Sequence, residues 1–361
     1  MNHAPAARAP RFASVDALRG LTVAAMLLVN NPGDWGHVYP PLLHATWHGC
    51  TPTDLVFPFF LFIVGVSIAL GMVPRVEAGA PRPALMRAVA VRSLRIIGLG
   101  LVLHLLAWWW LDTAHFRPWG VLQRIGLCFL AVGAAALWLR PRAQAWWLAA
   151  LLLGWWGLLA AGGSLAPWHN LASRVDTALL GPWLYQFDPA TGLGHDPEGL
   201  LSTLGALATT LLGLRAGAWL RRGRVRTLAC AGVAALLLGL AWSTVLPLNK
   251  NLWTPSYVLW TGGWAMLALA AAHVLIDRRG WPAVGRSFGV NAIAAYAGSA
   301  VMVYGFAALG WWEPLYRGGF AGWMTPRFGP YLPSLAFAAV FVGAWWLVVR
   351  GMDRRGWYVR I

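Results

Sequence analysis

Long runs of apolar residues constrain this chain more than any other feature of its sequence. Runs of roughly 18 or more residues recur along its whole length, each long enough to cross a hydrocarbon core about 30 Å thick. Of the 361 residues, 59% are hydrophobic and 11% are charged, whereas about a quarter of a soluble domain is charged. The sequence therefore predicts an all-α polytopic membrane bundle and excludes disordered, fibrous and ordinary soluble proteins.

We predict a single transmembrane domain over residues 1–361 with ten membrane-spanning helices. Their approximate ranges are 15–30, 55–73, 88–110, 119–138, 146–163, 199–217, 227–244, 256–276, 288–309 and 332–350. Two connections, near 31–53 and 164–198, are long and rich in Gly, Pro, Trp and His. We expect the functional site in these outer loops, because loops can be shaped without interrupting a span.

The basic residues predict how the bundle is oriented. With both termini placed in the cytoplasm, 22 of the 28 Lys and Arg residues fall on the inner side, as expected because cytoplasmic loops collect positive charge. The six on the outer side are Arg117, Arg124, Arg174, Lys250, Arg317 and Arg327. We attribute the formal charge of +16 to orientation and to contact with anionic membrane lipids. No basic and aromatic module for nucleic acid occurs.

Polar residues at the ends of apolar spans are the first candidates for function, because they are costly in a bilayer. Asp16 and Arg19 lie at the inner end of the first span, three residues apart, where they can pair on one helix face. Arg19 has two interpretations that the residues leave open. It forms an ion pair that sets topology, or it binds an anionic ligand group entering from the cytoplasm.

A second polar group follows the outer end of the first span. Asn30 ends that span, His44 and His48 bracket a Trp in the loop, and Asp54 begins the second span. Asp54 is either a helix cap or the partner of a nearby imidazole. A neutral imidazole can take a proton from an attacking amine or hydroxyl, or attack an acyl donor itself. The alternatives are two interfacial histidines bound to loop backbone, or a metal site, which lacks a third ligand.

Several motifs resemble the heparan-α-glucosaminide N-acetyltransferase family of transmembrane acyltransferases, and they follow the family order along nearly the whole chain. In the first sixty residues they are Val15-Asp16-Ala17-Leu18-Arg19-Gly20, Val29-Asn30, His44-Ala45-Thr46-Trp47 and Thr53-Asp54-Leu55-Val56-Phe57-Pro58. Further matching stretches are residues 120–125, 196–200, 249–254 and 289–292.

The resemblance implies transfer of an acetyl group across a membrane, from cytoplasmic acetyl-CoA to an amine on the far side, such as an amino sugar or a glycan ending in glucosamine. The family's catalytic histidine corresponds to His44, its polar partners to Asn30 and Asp54, and its inner-face arginine to Arg19. We expect a bacterial inner membrane with a periplasmic catalytic loop, because no Asn-x-Ser/Thr acceptor occurs. A homodimer is compatible with the resemblance. Acetyl-CoA is then a co-substrate, and no metal is implied.

The sequence departs from the family at His48, where Asn commonly follows the Trp of the motif, so we expect either a different acceptor pocket or a second titratable group there. Arg124, Lys250 and His195 are further candidates for contact with the acceptor. Arg124 and Lys250 can orient a sugar hydroxyl or carboxylate, or pair with Asp196 and Glu198. Structural pairing for Arg124, and a solvated loop position for Lys250, are the alternatives.

A transporter of a small sugar or amino sugar is the rival from another functional class. Ten spans and polar groups at both faces agree with transport. The spans lack midplane carboxylates and matching broken helices that would indicate an inverted repeat. We therefore favour the enzyme.

Overall fold

The protein is described by a computed structural model covering residues 12–359. Arg8, Arg11 and Arg360, three of the arginines assigned to the inner side, lie outside the described residues. The α-helices, in chain order, are α1 (Ala13–Asn30), α2 (Val56–Gly71), α3 (Val73–Glu77), α4 (Arg82–Trp110), α5 (Val121–Trp138), α6 (Pro141–Ala161), α7 (Leu171–Leu180), α8 (Thr203–Arg221), α9 (Val225–Trp242), α10 (Pro255–Ala272), α11 (Arg286–Val290), α12 (Ala292–Ala308), α13 (Trp312–Tyr316), α14 (Gly322–Phe328) and α15 (Tyr331–Arg354).

Shorter elements complete the described chain. The 3₁₀ turns are Pro40–Leu42, Pro52–Leu55 and Gly181–Trp183, and the π-helical turns are His273–Arg278 and Arg317–Ala321. Strands β1 (Gln186–Asp188) and β2 (Leu193–His195) form an antiparallel hairpin in which Phe187 lies opposite Gly194.

The predicted fold class, an all-α polytopic membrane protein, is confirmed, and each of the ten predicted spans coincides with one long helix. Among the described residues, eight helical segments are long and apolar enough to cross a membrane. They are α1, Pro52–Glu77, α4, α5, α6, α9, Pro255–Arg278 and α15. A ninth span would be α12 together with Trp312–Phe328, two segments that meet at 100°. The number ten and the cytoplasmic position of both termini stay predictions.

Helix α8, also one of the ten predicted spans, is neither among these eight segments nor part of the bent pair. Thirteen of its 19 residues are buried, including Thr209 and Thr210. It packs against α2, α5, α6, α9 and α10. A helix enclosed by other helices needs no lipid-facing apolar surface, so polar and small residues are tolerated along it.

Close packing of α2 against α8 depends on glycine. A Cβ atom on Gly65 would lie 2.0 Å from the carbonyl oxygen of Thr210, and one on Gly213 would lie 1.9 Å from that of Phe62. Both distances are far inside van der Waals contact, so the two backbones meet only because the side chains are absent. This contact fixes the position of α2, and the turn before α2 carries Asp54.

The two long loops predicted to build the site are joined by Trp47. Its Nε1 donates a hydrogen bond to the carbonyl oxygen of Leu165 at 2.8 Å. Its ring packs edge-on against that of His195, with centroids 5.2 Å apart. The second loop also contains α7 and the hairpin. The loops therefore support each other at the end of the bundle where α1 ends and α2 begins.

Candidate active site

His44 and Asp54 form a hydrogen-bonded pair at the start of α2. His44 Nδ1 lies 2.7 Å from Asp54 Oδ1, the His44 side chain is 47% exposed, and the Asp54 side chain is 1% exposed. An ionised carboxylate only accepts hydrogen bonds, so Nδ1 carries a hydrogen, and in the neutral imidazole Nε2 then has the lone pair. The pair therefore presents Nε2 as a basic nitrogen, while Nδ1 of the same ring is hydrogen-bonded to the Asp54 carboxylate.

Asp54 also caps the turn that precedes α2. Its Oδ2 accepts hydrogen bonds from the backbone N–H groups of Thr51 (2.9 Å) and Ala45 (3.0 Å) and from Thr51 Oγ1 (3.1 Å). The sequence left a choice between a helix cap and an imidazole partner. The structure shows both, because the two carboxylate oxygens serve different groups. These bonds fix the carboxylate, and with it the orientation of the His44 ring.

Lys250, in the loop between α9 and α10, approaches the other side of the His44 ring. Its Nζ lies 3.1 Å from Nε2 and 3.2 Å from Nδ1 of His44. Burial lowers the pKa of Lys250 below the ordinary lysine value, although the carboxylates of Glu198 and Asp54 act against this shift. An amine that is less basic than usual thus lies beside the imidazole.

His44 and Lys250 line one cavity of about 160 Å³ between α1, α2, α5 and α12. Most of its wall is apolar and includes Phe57, Phe60 and Leu122. Its polar residues are Asn30, His44, Thr53, Glu198, Lys250 and Tyr296. An apolar cavity with a few convergent polar groups is typical of sites for small ligands.

Glu198 is held at the cavity by Arg117, from the connection before α5. Arg117 Nη2 donates to Glu198 Oε2 at 2.8 Å and to Asp196 Oδ1 at 2.5 Å. Burial acts to raise the pKa of Glu198, but the positive charges of Arg117, Arg124 and Lys250 outweigh it and hold this pKa below the ordinary value. The wall of the cavity therefore carries an ionised carboxylate.

Of the predicted catalytic and acceptor-binding residues, the structure brings His44, Asp54, Asn30 and Lys250 to one place. The exposed Asn30 at the end of α1 lines the cavity with His44 and Lys250. Asp54 lies directly behind His44. The catalytic roles of these residues stay predictions.

His48, Arg124 and His195 are placed away from the cavity wall. His48 Nδ1 is hydrogen-bonded to Asn249 Nδ2 at 3.2 Å. Arg124 is fully buried and donates to Gly199 O (2.8 Å) and Ser202 Oγ (2.6 Å). His195 is buried, its Nδ1 lies 2.9 Å from Ser173 Oγ, and burial lowers its pKa. These contacts favour supporting positions for all three, His48 and His195 in the loops and Arg124 in the first turn of α5.

Arg19 lies nearer the opposite end of α1, about 16 Å from Asn30 along the helix axis at 1.5 Å per residue. Its Nη1 contacts Asp16 Oδ1 (3.2 Å) and Gly289 O (3.1 Å), and its Nη2 donates to Ser67 Oγ (2.8 Å). The predicted pairing with Asp16 is therefore present. Binding of a ligand anion by the same guanidinium stays a prediction.

Three residues at this site were not among the candidates named from the sequence: Glu198, Tyr296 and Arg117. Glu198 lies in the stretch 196–200 that carries part of the family resemblance, and this was its signal in the sequence.

Within residues 12–359, no group of three or more His, Cys, Asp or Glu side chains is arranged to hold a metal ion.

Comparison with known proteins identifies relatives of this sequence. Residues 11–186 match the family model described as heparan-alpha-glucosaminide N-acetyltransferase, catalytic. The chain is 31% identical to the human heparan-alpha-glucosaminide N-acetyltransferase over 366 residues, covering 81% of this chain and 53% of the relative. It is 30% identical to the mouse protein of that name over 363 residues, covering 81% and 54%. The chain thus spans about half the length of these relatives, and it belongs to the heparan-alpha-glucosaminide N-acetyltransferase family.

Proposed function

We propose that this protein is a membrane acetyltransferase that moves the acetyl group of acetyl-CoA to the amino group of a glucosamine-type acceptor. The observation that carries the proposal is the His44–Asp54 pair, in which a buried carboxylate holds an imidazole at the wall of a cavity. The similarity to the human and mouse heparan-alpha-glucosaminide N-acetyltransferases supports the reaction type.

His44 supplies the base in this proposal. Acyl transfer to an amine requires removal of protons from nitrogen as the new bond forms. With Nδ1–H directed at Asp54, the lone pair on Nε2 can receive such a proton, and the carboxylate stabilises the imidazolium that results. The same nitrogen could accept the acetyl group transiently, and both routes need the ring orientation that Asp54 provides.

Glu198 favours an amine over a hydroxyl as acceptor. Its Oε2 accepts from Arg117, whereas no hydrogen bond reaches Oε1 from the described residues. A protonated amino sugar would satisfy Oε1 with a charge-assisted hydrogen bond, which a neutral hydroxyl forms more weakly. We propose that Glu198 receives the acceptor ammonium and Lys250 contacts its hydroxyl or carboxylate groups.

Asn30 is the proposed donor to the thioester oxygen. Its side-chain amide lies exposed at the cavity, and negative charge develops on the thioester oxygen when the amine attacks. Donors of this kind contribute about 3–4 kcal/mol to stabilising the transition state in other acyl transfer enzymes.

The donor is proposed to reach the cavity from the Arg19 end of α1. Arginine binds phosphate through two parallel hydrogen bonds, so Arg19 suits the phosphate groups of CoA. The extended pantetheine arm would then carry the thioester along α1 to His44. We propose that the Arg19 end faces the cytoplasm and the His44 end the periplasm of a bacterial inner membrane.

Release of CoA thiol tests the function directly. Protein in nanodiscs would receive acetyl-CoA with glucosamine and other amino sugars. We expect multiple-turnover thiol release, beyond one equivalent per protein, that requires an acceptor and disappears in His44→Ala. A matched control is His37→Ala, because His37 forms a similar pair with Asp34 (2.6 Å) in the same loop but does not line this cavity.

The transporter alternative makes the opposite prediction. Vesicles containing the protein would then equilibrate unmodified amino sugar without any CoA compound. Such flux, together with no thiol release for any acceptor, would overturn the proposed function.

A further inference from the structure

Lys250 is the only lysine in the 361-residue sequence, in which the other 27 basic residues counted with it are arginines. Its Nζ lies 3.1 Å from Nε2 of His44, and both residues line the cavity with Glu198. The chain therefore places its one side-chain primary amine against the nitrogen that serves as base in the proposed function.

This arrangement matches what an acceptor amine would need. The acceptor nitrogen has to lie within hydrogen-bond distance of the base, at about 2.6–3.2 Å, and Lys250 Nζ meets this requirement. Burial lowers the pKa of Lys250, which makes the nucleophilic neutral amine more accessible than in a solvated lysine. An arginine at this position would stay charged and unreactive.

We propose that Lys250 is an acetylation site. When no amino sugar is bound, the acetyl group of the donor passes to Lys250 Nζ and inactivates the protein. The inference rests on the proposed function, because the same base and the same thioester are used.

The step balances without another reactant. One ammonium proton of Lys250 moves to His44 Nε2, and the freed lone pair forms a bond with the acetyl carbon as the carbon–sulfur bond breaks. A second Nζ proton goes to the departing thiolate, and His44 later releases its proton to water. The products are acetyl-lysine and CoA thiol.

Acetylation would block the site for two physical reasons. The amide is neutral, so the positive charge beside Glu198 and His44 is lost. The added acetyl group also occupies cavity space next to Nε2, where the acceptor amine has to bind. Since an amide is far less reactive than a thioester, the modified protein would stay inactive.

Mass spectrometry of the full-length protein tests the inference. Protein in nanodiscs is incubated with acetyl-CoA alone, and we expect one added acetyl group, mapped to Lys250, with activity falling in proportion to the modified fraction. Excess glucosamine should suppress the modification. In His44→Ala and Lys250→Arg, position 250 should stay unmodified. The N-terminal amine reports non-enzymatic acetylation, which should be equal in all variants.

Two results would overturn the inference while leaving the proposed function intact. One is acceptor-dependent thiol release by a protein whose Lys250 stays unmodified during prolonged incubation without acceptor. The other is modification of Lys250 to the same extent in the wild type and in His44→Ala. Absence of both thiol release and acetylation would instead overturn the proposed function together with the inference.

Discussion

Arg117 joins two carboxylates, since its guanidinium binds both oxygens of Asp196 and one oxygen of Glu198. Its Nη2 donates to Asp196 Oδ1 and Glu198 Oε2, and its Nε donates to Asp196 Oδ2 at 3.0 Å. Asp196 is 1% exposed. Both oxygens of Asp196 thus accept hydrogen bonds from the guanidinium, whereas Oε1 of Glu198 accepts none from residues 12–359.

Replacing Glu198 with Gln should weaken binding of the amine. A hydrogen bond to a charged group contributes about 1.5–3 kcal/mol, so we expect the KM for glucosamine to rise about tenfold to a hundredfold while the KM for acetyl-CoA changes little. Steady-state kinetics with both substrates measures this. Glu313→Gln, at an exposed ion pair with Arg317, is the control. An unchanged glucosamine KM would remove Glu198 from acceptor recognition.

Replacing Asp54 with Asn should reduce turnover strongly. The carboxamide supplies one acceptor oxygen where the carboxylate supplies two, so the His44 tautomer and the Thr51 cap cannot both be kept. We expect a fall in kcat of about 10²–10⁴-fold, in line with loss of the carboxylate in other triads. Thr51→Ser, which keeps the hydroxyl that bonds Asp54, should retain most activity. Wild-type kcat in Asp54→Asn would leave Asp54 only its capping role.

Asp176 on α7 should make stability depend on pH. Burial raises its pKa from 3.8 to about 6, although its Oδ1 accepts the Leu200 N–H at 2.9 Å. Between these pH values the folded state keeps a proton that the unfolded state has lost, so stability falls as pH rises, by on the order of 2–3 kcal/mol for this group. Thermal unfolding from pH 4 to 7 should show a decline in the wild type that Asp176→Asn lacks. Parallel profiles would contradict the assignment.

Replacing Arg19 with Gln should affect the donor and spare the acceptor. Loss of a charge-assisted bond to phosphate should raise the KM for acetyl-CoA about tenfold or more. Arg95→Gln, at an exposed position on α4, controls for loss of positive charge. Since Arg19 also bonds Ser67, unfolding temperatures of both variants should be compared. A change confined to the glucosamine KM would invert this placement, with glucosamine at the Arg19 end of α1 and acetyl-CoA at the His44 end.

The His44–Asp54 part of the site was predictable from residues that are close together in the sequence. His44 and Asp54 are ten residues apart in one loop, and both roles considered for Asp54 follow from its place before an apolar helix. The pairing of Arg117 with Asp196 and Glu198 was not predictable, because it joins residues 79 and 81 positions apart through the path of a long loop. Arg124 was considered for that pairing but bonds Gly199 and Ser202 instead.

The helices likewise divide into those that local sequence predicts and those that depend on contacts with distant parts of the chain. Runs of lipid-facing apolar residues locate α4 and α15 because the bilayer imposes their length and composition. Helix α8 lies inside the bundle, so its sequence reflects contacts with other helices. Its glycine contact with α2 depends on which helices are neighbours, and hydropathy carries no information on neighbours.

The single lysine also gives the molecule a built-in chemical reporter. A reagent selective for primary amines finds one reactive side chain in the whole sequence, and that side chain lies at the wall of the cavity. The rate of labelling at Lys250 would therefore measure how often the cavity is empty, so ligands could be ranked by the protection they give.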